Sequence, residues 1–127
     1  MLKEIPNVQQ VPGESRRRWF FSHEQDLLVW FDPDEEVVAF QLAYGKYRNE
    51  RALRWKAGKG FTHDAVDDGE NAGVVKEAAI LVADGYFDAT NVLDRFVELS
   101  TEVPKEIVDF VCERLKEHPN FGPEPSI

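Results

Sequence analysis

Residues 16–56 constrain the fold most strongly. Four stretches, 17–22, 27–31, 37–44 and 52–56, are rich in aromatic and β-branched side chains, the last least so, and short polar turns part them. They read as strands of an antiparallel meander. Asp32-Pro33-Asp34 opens a turn, because proline presets the dihedral of its second position. Glu35 then falls where a left-handed conformation would favour glycine, so local strain or a different turn is expected there.

Parity across that turn assigns faces. If Asp32 pairs with Glu36, Phe31 faces Val37 and Trp30 faces Val38. Alternation then puts Leu28, Trp30, Val38, Phe40, Leu42 and Tyr44 on one face, joined by Trp19, Phe21, Leu53 and Trp55. That face is aromatic throughout and must be covered. The opposite face is mixed: Arg18, Phe20, Ser22, Leu27, Val29, Phe31, Val37, Ala39, Gln41 and Ala43, with Ala52, Arg54 and Lys56 making one end small and basic. A slip of one residue would exchange the faces strand by strand.

The period turns helical from Asp88 onward. Leu93, Phe96 and Val97 fall at offsets of three and four, with Asp88 or Thr90 as cap. A second helix is expected at about 103–117. Ile107, Phe110, Val111 and Leu115 form its stripe, Ser100 or Thr101 its cap, and Pro104 sits in its first turn, where a missing N–H costs nothing. The two make a hairpin able to lie on the aromatic face. Residues 58–74, with Gly58, Gly60, Gly69 and Gly73 among acids, read as a long loop. Residues 79–83 read as a fifth strand, with a helix over 74–83 as the alternative. The expected fold is therefore α+β: an antiparallel meander of four or five strands with two C-terminal helices on one face. The expected organisation is an extended arm over 1–15, one domain over 16–117 and a frayed tail over 118–127.

Composition narrows the function classes. The 127 residues carry 24 acidic and 15 basic side chains, for a formal charge of −9. That excess argues against a general nucleic-acid coat and against an anionic-membrane binder. The charge is uneven, +1 over residues 1–60 and −10 over 61–127. This fits two partners or a dipolar subunit meeting another, but a solvated helical face explains it more simply. The single cysteine, Cys112, excludes an internal disulfide framework and a cysteine-rich zinc site. No stretch reads as a signal peptide or a membrane span, so a soluble cytoplasmic domain is expected.

Three constellations carry chemistry worth testing. His63, Asp64, Asp67, Asp68 and Glu70 put an imidazole and four carboxylates into one glycine-flanked segment. Hard cations favour clustered oxygens, and a histidine beside them suits manganese, iron or zinc, so a divalent metal there could activate water for hydrolysis. The spacing matches no standard metal motif, and a solvated acidic loop is the simpler account. Second, Arg16, Arg17, Arg18, Trp19 and Phe20, with Arg51, Arg54, Trp55 and Lys56, resemble the aromatic and basic sheets that hold single strands. The parity above points Trp19 and Trp55 into the core, which argues against nucleic acid. Third, Ala39 and Ala43 beside Gln41, Arg54 and Lys56, with Arg18 on the same mixed face, could floor a pocket for an anionic ligand. The apolar part of that face could instead meet a protein partner or a second copy in a homodimer, or lie under the arm or the 58–74 loop. Cys112 on the second helix reads as packing, and His118 at its end as a partner of the helix dipole.

The strings Arg17-Arg18-Trp19-Phe20, Val29-Trp30-Phe31-Asp32, Phe40-Gln41-Leu42 with Tyr44, Glu50-Arg51-Ala52-Leu53 with Trp55, Val66-Asp67-Asp68-Gly69-Glu70 and Ile80-Leu81-Val82-Ala83-Asp84-Gly85 resemble a group of small bacterial proteins of unassigned function. The likeness spans about residues 16–115. It implies a bacterial cytoplasmic origin and carries no activity, cofactor or site. The expected function is a small non-catalytic binding or oligomerising module that uses the mixed sheet face. A metal-dependent hydrolase built on the 63–70 segment is the alternative.

Overall fold

The computed structural model describes residues 1–45, 50–67, 80–83 and 88–121. Among the described residues seven strands follow one another in sequence order as a single antiparallel meander: β1 (Lys3–Glu4), β2 (Arg16–Phe21), β3 (Gln25–Phe31), β4 (Val37–Tyr44), β5 (Arg51–Lys56), β6 (Gly60–Asp67) and β7 (Ile80–Ala83). Two helices close the chain, α1 (Ala89–Leu99) and α2 (Lys105–Glu117). The class is α+β. The sheet is wider than the four or five strands expected, because Lys3–Glu4 pairs with β2 and because Gly60–Asp67, expected as loop, runs as a strand beside β5. Gly58 within the tight β5–β6 turn and Gly60 just after it, both at positive φ, permit this pairing. Of the 74–83 segment, Ile80–Ala83 is a strand, and residues 74–79 lie outside the described residues.

The faces differ from the parity expectation at one point. Asp32 does bond to Glu36 and Phe31 does pair with Val37, but Trp30 then pairs with Ala39. Val38 is an extra residue, a β-bulge, and it shifts every pair beyond it by one. Val29 therefore faces Phe40, and Leu27 faces Leu42. The β2–β3 and β4–β5 parities hold internally, with Trp19 opposite Leu28, Phe40 opposite Trp55 and Leu42 opposite Leu53. The faces are thus exchanged between the two halves. Phe20, Leu27, Val29 and Phe31 share the buried side with Phe40, Leu42 and Leu53. Trp19, Phe21, Leu28 and Trp30 lie on the other side with Ala39, Gln41, Ala43, Ala52, Arg54 and Lys56.

This outcome has a chemical reason. Both sides of β3 are apolar, so alternation alone does not choose between them. A tryptophan sealed among Phe, Leu and Val would strand its indole N–H, whereas Phe20, Val29 and Phe40 have nothing to strand. The structure seals the second set completely and leaves Trp19 and Trp30 half-exposed.

The helix hairpin covers the buried side. From α1 come Ala89, Val92, Leu93, Phe96 and Leu99, and from α2 Ile107, Val111 and Leu115. Val97, expected inside, is 50% exposed, since the stripe is centred on Phe96. Asp88 caps α1 by accepting from the Asn91 N–H. Ser100 does not cap α2. It ends α1, its hydroxyl donating to the Phe96 carbonyl, and Pro104 stands at the N-cap of α2 without a side-chain hydrogen bond. Leu2, fully buried, donates its N–H to the Leu99 carbonyl at 2.7 Å and ties the start of the chain to the hairpin.

Glu35 adopts φ 67°, the left-handed conformation its position required. The Asp32 carboxylate holds the turn by accepting from the N–H groups of Asp34 and Glu36, both at 2.9 Å. Glu35→Gly is expected to raise the unfolding free energy by up to about 1 kcal/mol, since a non-glycine residue at αL costs roughly 1–2 kcal/mol and glycine returns part of that as flexibility. Urea denaturation checks this; the exposed Arg16–Glu35 pair, 2.8 Å long and lost with the change, counts for little at this exposure, so a clear loss of stability would show that the turn is unstrained.

Candidate functional site

The side of the sheet away from the helices is the candidate site. Cross-strand register sorts its side chains into three rows. One runs Arg17, Trp30, Ala39, Lys56, Gly60. The middle row runs Trp19, Leu28, Gln41, Arg54, Thr62. The third runs Lys3, Phe21, Asp26, Ala43, Ala52, Asp64. Aromatic bulk therefore collects on β2 and β3, small residues on β4, and cations on β5. Trp19 meets Phe21 edge-on with ring centroids 6.3 Å apart, and Phe21 meets His23 at 5.8 Å. The Arg54 Nε donates to the Gln41 Oε1 at 2.8 Å, which holds the guanidinium across the middle row.

The four residues expected to bind an anion separate. Gln41, Arg54 and Lys56 share this open side. Arg18 does not. The bulge puts it on the helix-covered side, where its guanidinium lies 5.3 Å from the Phe20 ring and grips Glu4 by two hydrogen bonds of 2.7 Å. Those bonds hold the Glu4 carboxyl below its usual range. Arg17 takes the place expected of Arg18. Its backbone N–H and C=O are both paired by the Gln10 side-chain amide, at 2.9 Å each, as a neighbouring strand would pair them. Beyond β1 the edge of the sheet is closed in this way.

The expected metal cluster is not assembled among the described residues. His63 and Asp64 are consecutive in β6 and so point to opposite sides. Asp64 joins the open side. His63 lies under the helices, stacked on Tyr44 at 5.9 Å, and its Nε2 shares a 2.5 Å hydrogen bond with the Tyr44 hydroxyl. Asp67 ends β6 opposite Ile80, and Asp68 and Glu70 lie outside the described residues. No group of three metal-binding side chains occurs among the described residues.

Two features escaped the sequence. One is the pair Trp19 and Trp30 on the open side. Its signal was the indole N–H, which disfavours the sealed face. The other is the meeting of Tyr44, His63, Phe61 and His118, for which no local signal exists because the partners come from three separate elements. The His118 ring packs edge-on to Phe61 at 4.9 Å, and its Nδ1 accepts the Asn120 N–H at 3.0 Å. Burial, and secondarily the nearness of His63, lower its pKa below the ordinary histidine value of 6.5. Cys112 is half-buried, and burial pushes its thiol pKa up, away from thiolate chemistry. No helix among the described residues is long and apolar enough to cross a membrane.

These features define a meander sheet backed on one side by a helix hairpin, with no helix among the described residues on the other. Comparison with family models, with curated proteins and with solved structures gives no match to this chain.

The lowered His118 pKa predicts a pH dependence. The unfolded chain takes up the proton more readily than the folded one, so this contribution to stability is full above about pH 6.5 and is lost as pH falls toward the folded-state pKa. Denaturation midpoints between pH 7 and 5 should fall in the native chain and fall less in His118→Gln. Equal slopes in both would remove His118 as the cause.

Proposed function

We propose that the chain is a small non-catalytic binding module of the bacterial cytoplasm whose working surface is the open side of the sheet. One observation carries this reading: two tryptophans, Phe21 and Leu28 lie on the side away from the helix hairpin, beside Arg17, Arg54 and Lys56. Interfaces are enriched in Trp, Tyr, Phe and Arg, and an apolar strip rimmed by polar groups marks a contact surface. The separation of His63 from Asp64 supports binding over metal-assisted hydrolysis, because a catalytic centre needs its ligands to converge on one point.

A contact surface is distinguished from a core by what its residues contribute to the isolated fold. In dilute solution Leu28→Thr and Trp30→Thr should each cost clearly less than a sealed-side truncation, because the strand keeps a β-branched residue and both side chains are already partly in water. Leu53→Ala, on the sealed side, should cost about 2–5 kcal/mol. The native chain should also bind the dye ANS, and the double variant at 28 and 30 should not. Open-side losses as large as that of Leu53→Ala would sink the proposal.

A further inference from the structure

Between the first residues of the chain and β2 lies a cavity that the open-side reading does not use. The chain leaves β2 at Ile5, whose N–H donates to the Trp19 carbonyl at 2.8 Å. It rejoins the edge at Gln10, whose side-chain amide pairs both backbone groups of Arg17. Between these attachments it turns through Pro6 and Asn7, the latter at φ 57°, and stands off the strand. The space so left is a cavity of about 230 Å³, whose lining includes Glu4, Asn7, Arg16, Arg17 and Arg18. We propose that this cavity binds the phosphate group of a small molecule, inorganic phosphate or a phosphomonoester. The site stands independently of the contact surface proposed above.

Charge supports an anion. The lining holds three arginines against one carboxylate, Glu4, for a sum of +2. Glu4 is committed to Arg18 by the paired bonds of 2.7 Å. Arg16 pairs with Glu35 at 2.8 Å, but the two side chains are 44% and 73% exposed, and so exposed a pair exchanges readily for another anion. Arg17 is the decisive member. It is half-buried, its Nε donates to the Gln9 carbonyl at 3.0 Å, and no carboxylate pairs with it among the described residues. A guanidinium fixed at Nε keeps both Nη groups as donors, and a cation drawn partly out of water favours a negative partner. The Asn7 carboxamide, which also makes no hydrogen bond among the described residues, adds a neutral donor at the turn.

Size and shape select the ligand. Pockets for drug-sized molecules measure about 300–1,000 Å³, so this smaller one suits a single compact group. A guanidinium fork matches carboxylate and phosphate alike. A carboxylate, however, holds its oxygens in one plane, whereas a phosphate spreads them tetrahedrally. The donors here also come from different directions, since Arg16 and Arg17 alternate across β2 and Asn7 stands on the loop beside it. A phosphomonoester carries about −1.5 to −2 charges at neutral pH, which balances the lining. The whole chain, at −9, has no general attraction for anions, so binding here reports the local excess of cations.

An NMR titration of the isotope-labelled native chain tests the proposal, with ionic strength held constant by sodium chloride. Inorganic phosphate and glycerol phosphate should each shift the backbone amides of Asn7, Val8, Arg16, Arg17 and Arg18 along one saturable curve. Half-saturation is expected at roughly 1 mM, the strength of a few charge-assisted hydrogen bonds partly in water. Succinate, whose charges sit on two planar groups, should bind roughly fivefold more weakly or worse. Arg17→Gln should weaken phosphate binding by roughly tenfold or more. Asn7→Gly should weaken it severalfold and leave the fold at least as stable, since glycine takes a positive φ without strain. Lys59→Gln, in the β5–β6 turn and three strands from β2, should change nothing. Circular dichroism confirms that each variant is folded, and Asn7→Gly decides the matter even where Arg17→Gln does not fold. Shifts that never saturate, or that saturate elsewhere on the chain, would overturn the site. So would succinate binding as tightly as phosphate, either cavity variant binding as the native chain does, or Lys59→Gln weakening phosphate as much as Arg17→Gln.

Discussion

Two helices can cover only one side of a meander sheet, and the extra residue at Val38 determines which side that is on each half. Without it, Trp30 would pair with Val38 and β3 would present its tryptophan to the helices. With it, β3 rotates by one residue relative to β4, and Leu27, Val29 and Phe31 come into line with Phe40 and Leu42. The bulge sits next to the Asp32 turn, so the turn and the register form one unit. The Asp32 carboxylate fixes the turn and the left-handed Glu35 completes it, after which Val38 absorbs the offset. A bulge also increases local twist, which lets a broad sheet wrap a short helix hairpin.

The covering layer depends on that alignment. Phe40 stacks on Trp55 at 5.9 Å, and Trp55 receives Phe110 of α2 edge-on at 5.1 Å. The Arg114 guanidinium lies over both the Trp55 and Phe110 rings and pairs with Glu117. Trp55 is the one tryptophan on this side, and it is half-exposed, at the rim of the covered area. At the other end Leu2 fills the space beneath Leu99, and Gln25 reaches the Val92 carbonyl at 3.4 Å. The chain's first residues therefore belong to the fold, with β1 and the Gln10 amide together closing the edge of β2.

Much of this was legible in the residues. Strand periods, the Asp32 turn, the Asp88 cap and the stripes through Phe96 and Val111 are local patterns, each decided within a few residues. The bulge was not legible, because β3 is apolar on both sides and either register satisfies alternation. That one ambiguity spread to the site. It put Arg18 among the anion binders and took Trp19 off the open side, and with it the ground for an aromatic contact surface. For His63, a loop assignment let neighbouring residues share a ligand, whereas the strand that pairs with β5 sends His63 and Asp64 to opposite sides.

Charge follows the same division. The eight carboxylates between Asp88 and Glu117 belong to the helix layer, against four cations there, and Arg95 is shared between Glu24 and Glu98. The open side, in contrast, carries its cations on β1, β2 and β5. The helix layer thus supplies −4 of the −10 carried by residues 61–127. A solvated acidic helix face repels other acidic surfaces and keeps that side of the molecule single. The open side carries both signs of charge and holds its indole rings partly in water. An apolar strip of this kind, with polar groups at its rim, is the feature on which the proposed contact surface rests.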